Sequence, residues 1–317
     1  MISHLAAIAM GLAIDRIVGD PPNWPHPVRW IGSAIRRLTK RWNYGPNVFR
    51  NGFLLLGTMA LLVFLVVYAI VALAYSVNIF AGIAVEALLI ASGLAQKSLK
   101  DAALDVYEPL VDGNMALARE KLSWIVGRDT ADLDESRITR GVVETVSENT
   151  SDGVTAPLFW AFLLGAPGLW LYKAVNTLDS MVGYRNEEFE KFGFASAKAD
   201  DVLNFIPSRL TGVLILLMTE NKRSLTLRQR FAEWLRDAPK HPSPNSGWLE
   251  AATAVQLGVE LGGLNRYRGI ESHRARMGTP VYPLEAHHIN ETISHMQTVT
   301  IGFFILFALG GILFGVA

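Results

Sequence analysis

The chain has 317 residues, of which half are hydrophobic, 18% are charged and none is cysteine. So much apolar side chain with so little charge points to a membrane protein, and 29 basic against 29 acidic residues leave no electrostatic footprint for nucleic acid. Without cysteine there is no disulfide framework, thiolate metal site, iron–sulfur cluster or cysteine nucleophile.

The N-terminal stretch 1–18 lacks the basic start and small-residue cleavage site of a secretory signal and reads as an uncleaved span. Gly19–Gly32, GDPPNWPHPVRWIG, follows with four prolines, which forbid helix and hold Asp20, His26 and Arg29 on a rigid loop. A stiff turn satisfying its own backbone is the equal alternative. Gly52–Tyr75 carries no charge and, at about 1.5 Å per residue, crosses about 30 Å of hydrocarbon. The next stretch, 76–95, is nearly as apolar around Glu86, and Ser76, Val77 and Asn78 offer a turn that would make the two spans a helical hairpin.

In 127–160, Asp134 is placed to cap a helix with Glu135 in its first turn. Arg140, Glu144 and Glu148 recur every four residues on one face, Ile138, Val142 and Val146 mark another, and Asn149 and Asp152 follow. Gathered carboxylates and an amide are hard oxygen ligands suited to a magnesium nucleotide, and the plain alternative is an Arg–Glu surface ladder. Val154–Trp170 is broken by Pro157, Gly165, Pro167 and Gly168, and Phe205–Met218 is short and carries Arg209. Both predict partly embedded or re-entrant helices, over 154–172 and 205–219. Between them Asn176, Asp179 and Gly183 share a helical face, and Asp200, Asp201 and Asn204 repeat the theme. Lys173, Arg185 and Arg209 are natural grips for phosphate, unless the whole is a structural polar network. His241–Gly247, HPSPNSG, has Pro242 and Pro244 holding an extended turn, with Ser243, Asn245 and Ser246 offering polar groups to a substrate or to the next helix.

Late in the chain His288, Glu291 and His295 have zinc-ligand spacing but not the HExxH order, and read as a polar face ahead of a final span at 299–317. There is no Walker or Rossmann glycine motif, so any nucleotide is held otherwise. Basic residues crowd 20–51 and 222–236, which the positive-inside rule places in the cytoplasm. The expected fold is an all-α polytopic integral membrane helical bundle with a cytosolic helical portion, one domain over 1–317 with spans near 1–18, 52–75, 76–95 and 299–317.

Six blocks in order, GDPPNWPHPVRWIG, GRDT, VETVSENTSDGVTAPLFW, YKAVNTLDSMVGYRN, FGFASAKADDVLNFIPSRLTG, and HPSPNSG with LGG, cover Asp15 to about Tyr267 and resemble the CobD/CbiB family. That family is also similar to AmpE-type membrane proteins, so architecture alone does not decide activity. The resemblance implies an ATP- and Mg2+-dependent ligase joining adenosylcobyric acid to (R)-1-amino-2-propanol O-phosphate, in the cell inner membrane with its active site facing the cytoplasm. Its implied partners are those two substrates, membrane lipid and other late membrane enzymes of cobalamin synthesis, with room for a homo-oligomer. Carried onto the matching blocks, Glu144, Glu148 and Asp179 are catalytic candidates, and Glu148, Asp152, Asp179 and Asp201 candidate metal ligands. Arg29, Arg128, Arg140, Asn149, Lys173, Asn176, Arg185, Asn204, His241, Ser243 and Asn245 are candidates for substrate and phosphate. The rival readings are a corrinoid transporter and an AmpE-like signalling protein.

Overall fold

With no water in hydrocarbon to satisfy backbone groups, long apolar runs must be helical. The computed structural model, which describes residues 2–21, 25–184 and 186–314, is helical apart from one hairpin. Among the described residues four helices are long and apolar enough to cross a membrane: Val48–Val77, Ile79–Val111, Glu135–Val182 and His287–Gly311. The chain is therefore a multi-pass membrane protein. In the apolar window of Glu135–Val182, 78% is buried, against 22% in Val48–Val77. The motif-bearing helix is thus enclosed, whereas Val48–Val77 turns Leu61, Leu65 and Leu73 outward.

The chain divides into two compact units. The first comprises Met1–Lys97, Asp152–Asn204 and Leu306–Ala317. It contains α1 (Ile2–Ile17), α2 (Pro27–Trp42), α3 (Val48–Val77), α4 (Ile79–Ala91), α8 (Ala156–Val182) and α9 (Phe194–Leu203). At 16 residues α1 is about 24 Å long, and it lies outside the four long helices. Asn78 breaks α3 from α4 and caps α4 by accepting from Ala81 N–H at 2.8 Å. The two helices pack against each other as the expected hairpin, Tyr75 covering Gly82. Glu86 would be costly in this apolar setting but is fully partnered. It takes the Tyr75 hydroxyl at 2.8 Å, faces His4 at 3.1 Å and accepts from Ala166 N–H at 3.3 Å. The last contact exists because α8 kinks at Gly165 (φ +69), two residues before Pro167; proline removes a helical hydrogen bond and glycine accepts the left-handed angle.

The second unit comprises Ser98–Ser151 and Phe205–Ile305 and holds nearly all of α5 (Gln96–Val111) and the whole of α6 (Met115–Ser123). Around α12 (Ser246–Leu257), buried on nearly every face, pack α7 (Glu135–Thr150), α10 (Phe205–Met218) and α11 (Leu227–Asp237). Its core joins Leu249, Ala252 and Val255 to Ile215, Leu216, Trp234 and Met277. Two motifs start helices here. Asp134 accepts from Arg137 N–H at 2.9 Å, and Thr226 with Gln229 forms a capping box. Gly258 ends α12 in the left-handed conformation (φ +72). The chain then makes an antiparallel hairpin, β1 (Leu261–Tyr267) and β2 (Ile270–Met277), closed by Arg268 and Gly269, both at positive φ. That is the pattern of a two-residue type I′ turn. The sequence expectation held no strand, and the LGG block turns out to open β1. The final helix is α13 (His287–Phe314).

Candidate functional site

In the second unit, Asp129 of the GRDT block accepts from the backbone N–H groups of Arg268 and Gly269, at 3.0 and 2.7 Å, and so clamps the hairpin tip. The other end of the hairpin is tied to α7. Glu144, 3% exposed, accepts from Gly262 N–H at 2.8 Å, pairs with Arg128 and lies 3.7 Å from Arg140 Nε. Arg128 and Arg140 both donate to Asn265 Oδ1, at 2.9 and 2.8 Å, and Arg140 also reaches the carbonyls of Gly262 and Leu264. Three predicted residues, Arg128, Arg140 and Glu144, thus form one network in which the carboxylate is neutralised and one positive charge remains.

One helical turn further, a second chain of polar groups begins. Glu148 Oε1 accepts from the Ser246 hydroxyl at 2.8 Å, and Ser246 in turn meets Ser243 Oγ at 3.1 Å. Ser243 N–H donates to His241 Nδ1 at 3.0 Å, and His241 Nε2 stands 3.5 Å from Glu250 Oε1. Glu250 is 1% exposed, and neither of its oxygens has a hydrogen-bond partner. Such neglect is exceptional for a buried polar group and is not general on this helix. Gln256, also buried, donates to Thr219 O at 2.8 Å and Ile215 O at 3.1 Å. Asp237, equally buried, takes Arg236, Lys240 and Gly278 N–H; despite burial, which raises it, these hold its carboxyl at about 2. Glu250 has no such hydrogen bonds, and the opposing pull of Arg274 and Arg128 is the smaller effect. Burial first, then the nearby charges of Glu144 and Glu148, push its carboxyl well above the usual range and favour its protonated form. His241 is shifted the other way, by burial and then by Arg274, and stays neutral.

The sign of the resulting pH dependence is fixed. Because the folded pKa of Glu250 is raised, its contribution to stability is complete below the unfolded carboxyl pKa of about 4.3 and declines as pH climbs from there towards the folded value. Glu250→Gln removes that decline. Its melting temperature in detergent should exceed that of the parent protein at pH 7.5 and converge with it near pH 4. A constant difference at all pH values would contradict a proton-loaded Glu250.

In the first unit the predicted residues gather on α8 and α9. Asn176 and Asn204 donate to the two oxygens of Asp200, at 3.1 and 3.0 Å, and the Tyr172 hydroxyl donates to Asn204 Oδ1 at 2.9 Å. Lys173 lies within electrostatic reach of Asp152, Asp20 and Asp200, and Tyr172 within reach of Asp152, Asp200 and Asp179. Of the two adjacent acids the network takes Asp200; Asp201, a helical step of 100° round, pairs with Lys198 at 3.0 Å. Asp20 in the proline loop meets His26, which caps α2.

The predicted metal set therefore divides: Glu148 belongs to one unit, and Asp152, Asp179 and Asp201 to the other. Arg29 is not on the expected rigid loop but exposed in the first turn of α2, since Pro27 stands at the first helical position, where its missing N–H costs nothing. Asn149 spends its amide on the carbonyl of Thr145 at 2.9 Å. Asn245 accepts from Arg209, whose guanidinium lies over the Phe205 ring. Arg185 lies outside the described residues. Sequence reading missed Glu250, although it is the one charge in SGWLEAATAVQL, the same signal that drew attention to Glu86. It missed Asn265 and Arg274 because the hairpin that carries them was not foreseen.

Comparison with known proteins bears on this geometry. No solved structure matches the chain. A family model described as CobD/Cbib protein matches residues 8–296. The chain is 51% identical to the cobalamin biosynthesis protein CobD of Halalkalibacterium halodurans over 314 residues, 99% of this chain and 98% of that protein. It is 43% identical to the protein of that name from Klebsiella pneumoniae, covering 92% of each. With the cobalamin biosynthesis protein CbiB of Salmonella typhimurium the identity is 42%, again over 92% of each. The two polar networks are thus built from the blocks that run through the matched region, and the chain belongs to the CobD/CbiB family.

Proposed function

We propose that this protein acts in cobalamin biosynthesis as adenosylcobinamide-phosphate synthase, an ATP- and magnesium-dependent carbon–nitrogen ligase. It joins a carboxylate of adenosylcobyric acid to the amine of (R)-1-amino-2-propanol O-phosphate. The observation that carries the reading is the facing pair of His241, its pKa lowered, and Glu250, its pKa raised, 3.5 Å apart. Titratable groups whose surroundings drive their proton affinities apart mark acid–base assignments. An ammonium must lose a proton before it can attack. His241 is the acceptor in this scheme: in the tautomer whose Nδ1 proton faces the Ser243 carbonyl at 3.3 Å, Nε2, which has no hydrogen-bond partner, offers the lone pair, and Glu250 3.5 Å away acts on it electrostatically. The Ser243–Ser246–Glu148 chain fixes the other ring nitrogen.

The first unit's network suits a magnesium-bound phosphate chemically, because Asp152 and Asp200 are hard oxygen donors and Lys173 is an ammonium among them. Asp152 and Asp200 would hold the metal and Lys173 phosphate oxygens; Asp179, beside Tyr172, remains a candidate for the same group. Bound there, magnesium nucleotide supplies the activated phosphoryl group that makes a carboxylate electrophilic. Arg128, Arg140 and Glu144 position the hairpin. The basic stretches 20–51 and 222–236 favour a site on the cytoplasmic side of the cell membrane.

The test is product analysis after incubating purified protein with adenosylcobyric acid, the aminoalcohol phosphate and magnesium nucleotide. An amide product that requires ATP is expected. Corrinoid accumulation in vesicles with no product formed would overturn the reading in favour of transport.

A further inference from the structure

At the N-terminal end of α13, one ring nitrogen each of His287 and His288 and a carboxylate oxygen of Glu291 lie within 4.8 Å of one another. This set differs from the His288, Glu291 and His295 spacing visible in the sequence; His295 lies a turn beyond Glu291 and is not in the group. The three residues line a cavity of about 330 Å³ together with Lys222, Tyr282 and Glu285.

Each ligand has a supporting partner and a spare donor atom. His288, 2% exposed, has Nδ1 3.1 Å from both the N–H and the carbonyl of Glu285, the carbonyl being its partner in the tautomer that frees Nε2, and His287 has Nδ1 3.4 Å from the Glu285 carboxylate. A ring N–H directed at a carbonyl or carboxylate is the usual support of a metal-binding histidine, and leaves the other nitrogen's lone pair to the ion. Glu291 Oε1 takes Lys222 at 3.0 Å, while Oε2 is buried without a hydrogen-bond partner. Partnerless buried carboxylate oxygen is costly, and a cation would relieve it. Imidazole with carboxylate selects zinc and its neighbours over magnesium.

We propose that His287, His288 and Glu291 form a binding site for a divalent ion of the zinc class, three protein ligands leaving one position open to the cavity. Ligand bonds of about 2.0–2.2 Å require donor atoms to close in by about 1–1.5 Å from their present spread. Exposed His287 and half-buried Glu291 have the freedom to do so. The Lys222 ammonium opposes the ion and moderates its affinity.

The experiment uses full-length protein without a polyhistidine tag, stripped with chelator in detergent and titrated with Zn2+ alone under excess Mg2+. One equivalent per chain is expected, and Co2+ in its place should give visible d–d bands. His288→Ala removes a buried ring and endangers the fold, so His287→Ala and Glu291→Gln carry the test. Each should weaken binding about tenfold or more, with an unchanged melting temperature of the stripped protein, and Lys222→Gln should tighten it. Substoichiometric binding, or unchanged affinity in both His287→Ala and Glu291→Gln, would overturn the site.

Discussion

Exchanging His241 for alanine is expected to lower the rate of amide formation about 10²–10⁴-fold, the range for loss of a positioned general base. The imidazole is held at Nδ1 by the Ser243 backbone, N–H at 3.0 Å and carbonyl at 3.3 Å, while Nε2 has no hydrogen-bond partner and stands 3.5 Å from Glu250. Burial and Arg274 lower its pKa, so the neutral form is available across neutral pH. Rate in the parent protein should fall on the acid side only below about pH 6.5, the ordinary histidine value. In His241→Gln, which keeps polarity without a titratable nitrogen, that acid limb should vanish along with most of the rate. Substrate affinity should change little, because the lost interaction belongs to proton transfer. A variant that raises KM with kcat intact would instead make His241 a binding residue. An acid limb surviving in His241→Gln would assign the proton to another group.

Removing Arg128 should damage the fold more than any other single change in the second unit. Arg128→Met leaves Glu144 buried with its main counter-ion gone. Breaking such a pair from one side costs about 3–5 kcal/mol. Arg140 replaces it only in part, because both of its terminal nitrogens are committed to the carbonyls of Gly262 and Leu264 and to Asn265, leaving only Nε, 3.7 Å from Glu144. The double variant Arg128→Met with Glu144→Gln removes both charges and should recover much of that loss, since an uncharged pair no longer carries the desolvation penalty. Thermal unfolding in detergent measures both. If Arg128 were chiefly a phosphate ligand, Arg128→Met would leave the melting temperature unchanged and raise KM. That outcome would return it to the substrate role its motif suggests.

These expectations concern residues of unequal visibility. Arg140, Glu144 and Glu148 could be placed on one helical face from their spacing, and Asp134 and Asn78 stand where capping residues belong. The same spacing could not say that Glu144 would be neutralised while Glu148 would lead to His241. Glu144 reaches Gly262 across 118 residues, and Glu148 reaches Ser246 across 98. Nor could it separate Asp200 from Asp201, which stand side by side in the chain and on different sides of α9.

By itself, then, the order of residues determined the membrane class, the long apolar helices, their caps and the blocks where charge collects in apolar surroundings. All of these depend on length, periodicity and neighbours within a turn or two. Tertiary structure alone decided which buried polar groups are paired and which are left without a hydrogen bond: Glu86 is satisfied by three other helices, Gln256 by the end of α10, and Glu250 has only the His241 ring 3.5 Å away. Pairing depends on groups far apart in the chain, and burial strengthens each unmet charge by excluding the water that would otherwise answer it.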